Sequence, residues 1–224
     1  MKSYRTRAIV LRRTNYGEAD RILHLLTPEG KRSVIARGVR REKSKIAGGI
    51  ELFSVSEVVI IEGKGDLGTL RSARAVQFYS HIVEDYDRLQ FGYLAIKAVT
   101  RAAETVDEPE WYDTLSEVLM GLDVQTIPMS LVETWFYLRY AALLGHELNL
   151  NSDVAGDKLS SEKTYRYDMS EQGLRQTEKG EIGSEHIKLL RLIATKSIKT
   201  LTQVGGIEEL LGDCLQVART HAAV

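Results

Sequence analysis

The chain has 224 residues, 43% of them hydrophobic and 27% charged, with a net charge of −1 and a single cysteine. That length suits one large domain or two small ones, and the composition excludes a disordered chain. No apolar run approaches the roughly 18 residues of a membrane helix, and Cys214 alone can form neither an internal disulfide nor a cysteine-held zinc site.

The chain starts MKSYRTRAIVLRR, a short apolar core flanked by charge. This is unlike a secretory signal, so a cytoplasmic protein is expected. Segment 4–13, YRTRAIVLRR, reads as a strand, and NYGEA after it is turn-like. DRILHLLT, 20–27, is a second strand, joined by the tight turn PEGK to a third, KRSVIAR, 31–37. Residues 38–49 form an irregular link. A strand-like run covers 50–62, the glycine-rich EGKGDLG a turn at 62–68, and TLRSARAVQF a last strand at 69–78. Such strands cannot leave their edges bare, and a small closed barrel removes the edges. The five-stranded OB-fold fits the size best.

From about residue 79 the period becomes helical. Helices are expected at 93–104, at 110–122 after a break at Asp107 and Pro109, and at 130–145, opened by Pro128 and Ser130. In the third, Leu131, Trp135, Leu138 and Ala142 share one face, and Gly145 is the C-cap. Residues 147–181 are polar and weakly periodic. Two more helices are expected at 184–202 and 206–219. The fold class is therefore α+β: an OB-fold barrel over residues 1–80, then an α-helical domain over 81–224 with a cysteine-free polar insertion at about 147–181.

The charge is divided in the same place. Residues 1–80 carry 16 Lys and Arg against 8 Asp and Glu, and residues 81–224 carry 14 against 23. A basic module of this kind points to a polyanion as partner. Its densest stretch is ARGVRREKSK, 36–45, with Arg37, Arg40, Arg41, Lys43 and Lys45 against Glu42. A charge run on a loop is commonly just solvated surface. Here the strand before it alternates, so Lys31, Ser33, Ile35 and Arg37 share one face and lead into the loop. Arg12 and Arg13, at the end of the first strand, extend the patch. Gly38, Gly48 and Gly49 give the backbone freedom to follow a partner. The barrel is short of stacking aromatics: Tyr4 and Tyr16 remain once Phe53 and Phe78 are assigned to the core. Binding is thus expected to be led by the nucleic-acid backbone, blind to sequence and sensitive to salt.

Other features read as structure. EGKGDLGT lacks phosphate-loop spacing and opens no helix. Glu18 and Asp20 lack a third ligand or a nearby histidine, and a turn in which they pair with Arg21 or another arginine is the simpler reading. The histidines show no metal spacing. Cys214, Trp135 and Phe136 read as packing. No catalytic constellation, metal site or cofactor motif stands out.

Taken together, AIVLRRTNYGEADRILHLLTPEGKRSVIARGVRREKSK, GIELFSVSEVVI and GKGDLGTLRSARAV resemble the bacterial recombination mediator RecO family, with LVETWFYLRYAALLGHEL matching more loosely. The resemblance implies an OB-fold followed by a helical domain, and binding of single- and double-stranded DNA with annealing of complementary strands. It also implies partnership with RecR and with the C-terminal tail of the single-strand-binding protein SSB, so that RecA loads, all in the bacterial cytoplasm at the nucleoid. Lys31, Arg32, Arg37, Arg40, Arg41, Lys43 and Lys45 fall where the family's DNA-contacting surface lies. The SSB contact belongs to the helical domain, with Arg139 as candidate. Many members carry a four-cysteine zinc module after the segment matched by LLGHEL; here NLNSDVAGDKLSSEKTYRYDMSEQGL has no cysteine, which leaves zinc out at that site. The insertion is then a loop or a β-hairpin.

Two other readings stay open at this point. The basic barrel could dock an acidic protein, with DNA binding secondary. A nuclease using Glu18 and Asp20 is the weaker alternative, tested by incubation with DNA and Mg²⁺.

Overall fold

The computed structural model describes residues 2–63, 65–106 and 108–223; the break expected at Asp107 lies outside them. Five strands, β1 (Ser3–Tyr16), β2 (Asp20–Thr27), β3 (Gly30–Ala36), β4 (Ser54–Ile61) and β5 (Leu67–Phe78), close a barrel in the order β1-β2-β3-β5-β4. The β3–β5 pairing is parallel and short; the others are antiparallel. Alternation turns Ala8, Val10, Leu23, Leu25, Val34, Val58 and Ile60 into the barrel, where they form its core. This is the expected OB-like, α+β architecture.

Two strand boundaries and one core assignment in the barrel differ from expectation, each for a local reason. β1 runs on to Tyr16 because Asn15 and Tyr16 still pair with Arg21 and Asp20, which shrinks the turn to residues 17–19. β4 starts at Ser54: Phe53, just before it, is buried at φ 57°, a left-handed conformation that breaks strand pairing. Phe78, assigned to the core, is instead 48% exposed. It ends β5, opposite Ser54 and beyond the stretch in which β5 also pairs with β3.

The chain divides into two compact units, Met1–Asp123 and Val124–Val224. The first holds the barrel together with α1 (Ser80–Glu84), α2 (Tyr86–Ala102) and α3 (Glu110–Asp123). α2 therefore begins at Tyr86, capped by the Asp85 carboxylate on the Arg88 N–H, well before the expected start at Tyr93. α2 packs on β1 and α3 on β2, and Ile9 and its cross-strand partner Leu26 are fully buried.

The second unit is built on α4 (Met129–Leu143). Residues 131–138 are all buried, so this helix has no single apolar stripe of the kind expected for Leu131, Trp135, Leu138 and Ala142. α5 (Ser184–Thr195), α6 (Ile198–Leu201) and α7 (Leu211–Ala222) pack on it from several sides. Gly145 does take the left-handed C-cap position, with φ 84°. The helix expected over 184–202 is broken because Lys196 is extended and Ser197 starts α6 by accepting the Thr200 N–H. The last helix runs Leu211–Ala222, displaced from the expected 206–219.

The polar insertion folds into the hairpin β6 (Tyr165–Asp168) and β7 (Gly173–Gln176). Hydrogen bonds tie down this segment. Arg191 donates twice to the Leu150 carbonyl, at 2.6 and 3.0 Å. The buried Asp153 carboxylate accepts the N–H groups of Ala155 and Asp157. Tyr167 and the His146 carbonyl clasp the imidazole of His221, at 2.9 and 2.6 Å. Cys214 is buried, and burial with Asp213 beside it pushes its thiol up to about 12, the state of an inert core residue. Among the described residues no helix is long and apolar enough to cross a membrane, and none form a cluster of three or more potential metal ligands.

Candidate nucleic-acid interface

The β1–β2–β3 sheet decides which cations share a face. Without irregularity Arg13 would point outward, like Ile9. A bulge between Val10 and Arg12 reverses the alternation. Arg12 is then opposite His24, and His24 opposite Ser33, in one outward row. Arg13 is opposite the core residue Leu23, and its guanidinium is held by Glu51 at 2.6 Å. Thr14, Ile22 and Ile35 make the next outward row. The outer face of the second and third strands is where OB-folds bind oligonucleotides.

Beyond β3 the chain enters the cationic loop, residues 37–45. Arg37, Arg40, Arg41, Lys43 and Lys45 are all exposed, and among the described residues none of them is in an ion pair. The loop is nonetheless fixed. Val39 and Ile50 are buried in the barrel core, and Ile46 and Ala47 pack against it. The Asp20 carboxylate accepts the Gly38 N–H at 2.7 Å, and the Ala19 carbonyl accepts the Arg40 N–H at 2.9 Å. Burying one side chain such as Val39 is worth about 1.5–3 kcal/mol, so these anchors hold a loop whose charges otherwise repel one another.

The GEADR turn thus holds the basic loop, and the pairing expected for it is overturned: Asp20 serves the Gly38 N–H, while Arg21 donates to Asn15 at 3.2 Å. The part expected of Gly49 is also overturned. It is buried, and a Cβ there would run into the carbonyl of Ala73, so it is glycine for close approach and not for freedom.

The remaining predicted cations divide. Lys31 faces outward as expected, but pairs with Glu104, in the turn after α2, at 3.3 Å. Arg32 points the other way on β3, and its guanidinium donates to the carbonyls of Lys31 and Glu29, at 2.7 and 2.9 Å. It lines a cavity of about 390 Å³ with Tyr4, Glu62 and Asp66. Arg139, in the second unit, lies exposed on α4.

Sequence reasoning missed His24. Its Nδ1 is 3.0 Å from Ser33 Oγ. Partial burial, then the charges of Lys31 and Arg12, hold its pKa below the ordinary imidazole value, with Glu104 pulling the other way. The signal was available in the hairpin register: PEGK sets β2 against β3 and places His24 on the Lys31 face.

Residues 1–79 match the family model described as recombination protein O N terminal, and residues 83–221 the one described as recombination protein O C terminal. Proteins named DNA repair protein RecO are among the similar chains. The one from Dehalococcoides mccartyi (strain CBDB1) is 30% identical over 222 residues, covering 94% of this chain and 85% of that protein. The one from Heliobacterium modesticaldum is 36% identical over 157 residues, 68% of this chain and 56% of its relative. That from Roseiflexus sp. is 37% identical over 101 residues, 45% of this chain and 35% of its relative. Against these last two, the matched part of the chain spans less than two thirds of the relative.

Proposed function

The chain belongs to the recombination protein O family, and on that footing we propose that it acts in DNA repair and recombination as a non-catalytic DNA-binding mediator. The observation that carries this reading is the anchored loop: five exposed cations with no ion-pair partner among the described residues, held by Asp20, Val39 and Ile50 where β3 ends and β2 begins. Residues 1–80 are the DNA-binding part, and residues 81–224 are the part that meets protein partners. Arg12, Arg13, Lys31, Arg32, Arg37, Arg40, Arg41, Lys43 and Lys45 are the candidate contacts for single- and double-stranded DNA.

The mechanism needs no bond chemistry. Two strands repel through their phosphates, and a cationic surface lowers that repulsion while releasing counterions. A face poor in aromatics grips the backbone and leaves base edges free, because a strongly stacked base is unavailable to its partner strand. Annealing of complementary strands follows. By family resemblance the chain then works with RecR and with the acidic tail of SSB, for which Arg139 is the candidate contact, so that RecA loads on SSB-coated single strands in the bacterial cytoplasm.

Replacing Arg37, Arg40 and Arg41 together by Ala tests this. Annealing of complementary oligonucleotides should slow, and the salt slope of single-strand binding should flatten by about 2 units for three lost phosphate contacts. The circular dichroism spectrum should not change, since all three side chains are exposed. Unaltered annealing would count against the reading. The Lys31–Glu104 pair favours a second reading, in which the face takes carboxylates of an acidic protein. Oligonucleotide binding by the purified chain with no partner present separates the two.

A further inference from the structure

The outward row on β1–β2–β3 holds more than scattered charge. Arg12 and Ser33 flank His24 from the two neighbouring strands, and Lys31 lies on the same face two residues before Ser33 on β3. Ser33 occupies Nδ1 of the imidazole, and among the described residues nothing is hydrogen-bonded to Nε2. Among the described residues one carboxylate approaches this cluster: Glu104, largely exposed, bonded to Lys31 at 3.3 Å. Among the described residues Arg12, Lys31 and Glu104 are the charged groups that act on His24, from β1, β3 and the turn after α2 respectively.

We propose that Arg12, His24 and Lys31 form a seat for one backbone phosphate of the bound strand, and that the Glu104 carboxylate holds the seat until the phosphate displaces it. The seat rests on the DNA-binding reading but makes its own claims. A neutral imidazole between two cations cannot easily take a proton, because burial and both charges oppose it. A phosphate placed at Nε2 offsets the positive field of Arg12 and Lys31 there. The imidazole then takes up a proton from solvent on Nε2 and donates it to a phosphate oxygen, as a charge-assisted bond. Binding is thereby coupled to uptake of a proton, and affinity rises as the pH falls through the imidazole range. Glu104 sets a threshold, because any incoming anion must compete with a tethered one.

Two measurements on the intact chain test the seat. The first follows the imidazole C–H resonances of His24 from pH 5.5 to 8, without and with sulfate, a phosphate mimic whose charge is constant over that range. Without sulfate the His24 pKa should be lower in E104Q than in wild type, because the Glu104 charge raises it; sulfate should raise it in both, and by more in E104Q. The second measures binding of an oligothymidylate across salt for wild type, H24Q and E104Q. At pH 6, H24Q should lower the magnitude of the slope of log K against log salt by about 0.7, one single-strand phosphate contact. At pH 8 it should match wild type, and E104Q should bind more tightly than wild type at both. If oligonucleotide binds while His24 ignores sulfate and H24Q keeps the wild-type slope at pH 6, the seat is wrong and the DNA reading stands. If His24 responds to sulfate while oligonucleotide does not bind, the cluster takes a free anion and no strand, and the DNA reading falls together with the backbone-phosphate seat. E104Q binding no better than wild type overturns the displacement.

Discussion

At Gly49 the structure makes a demand that the sequence disguises. Beside a run of charges, Gly48–Gly49 reads as slack, yet Gly49 is packed against the main chain of Ala73 and Arg74. Main chain of a closed barrel cannot step aside as a flexible side chain can, so G49A should cost about 1–3 kcal/mol by overpacking. Urea unfolding should show a lower midpoint at unchanged slope; an unshifted midpoint would mean that the barrel yields there. The same blindness affects Arg12 and Arg13. Adjacent arginines at a strand end look equivalent, and only the bulge at Val10 and Arg12 sends one outward and the other to Glu51. Bulges depend on the pairing of two strands and leave no local mark. His24 was hidden differently: a lone histidine in an apolar strand is ordinarily core, and its surroundings appear only once β2 is paired with both neighbours.

At the level of elements the strands were legible, because turn chemistry punctuates them: PEGK gives the β2–β3 turn, and the glycine-rich stretch falls between β4 and β5, with Lys64 of it outside the described residues and Leu67 and Gly68 already in β5. Boundaries were less so. The break at Lys196 and Ser197 comes from a cap, and the even burial of α4 comes from the three helices around it. The cationic loop is the element on which the proposed function depends, and its tether gives a prediction in which two effects oppose each other. D20A removes a negative charge close to the loop, so charge counting alone would have it bind DNA more tightly. It also removes the acceptor of the Gly38 N–H. A hydrogen bond to a charged group contributes about 1.5–3 kcal/mol, and without it the five cations must be ordered when DNA binds. We expect ordering to win: oligonucleotide affinity of D20A should fall, with faster amide exchange across residues 37–45. Tighter binding would show that charge alone decides.

Across the whole molecule, the feature most legible in the sequence was the division of charge, an excess of cations in residues 1–80 against an excess of acids in residues 81–224. A net charge of −1 would otherwise argue against affinity for a polyanion. On the proposed reading local charge on an anchored surface outweighs the total, because screening confines each phosphate to cations within about 10 Å at 0.1 M salt. The most direct test titrates the intact chain with a labelled oligothymidylate, partner-free, across salt. With about five phosphates met by the loop, log K should fall against log salt with a slope near −3.5, roughly a hundredfold loss from 50 to 200 mM. An absence of binding at 50 mM, or an affinity that does not change with salt, would contradict the account.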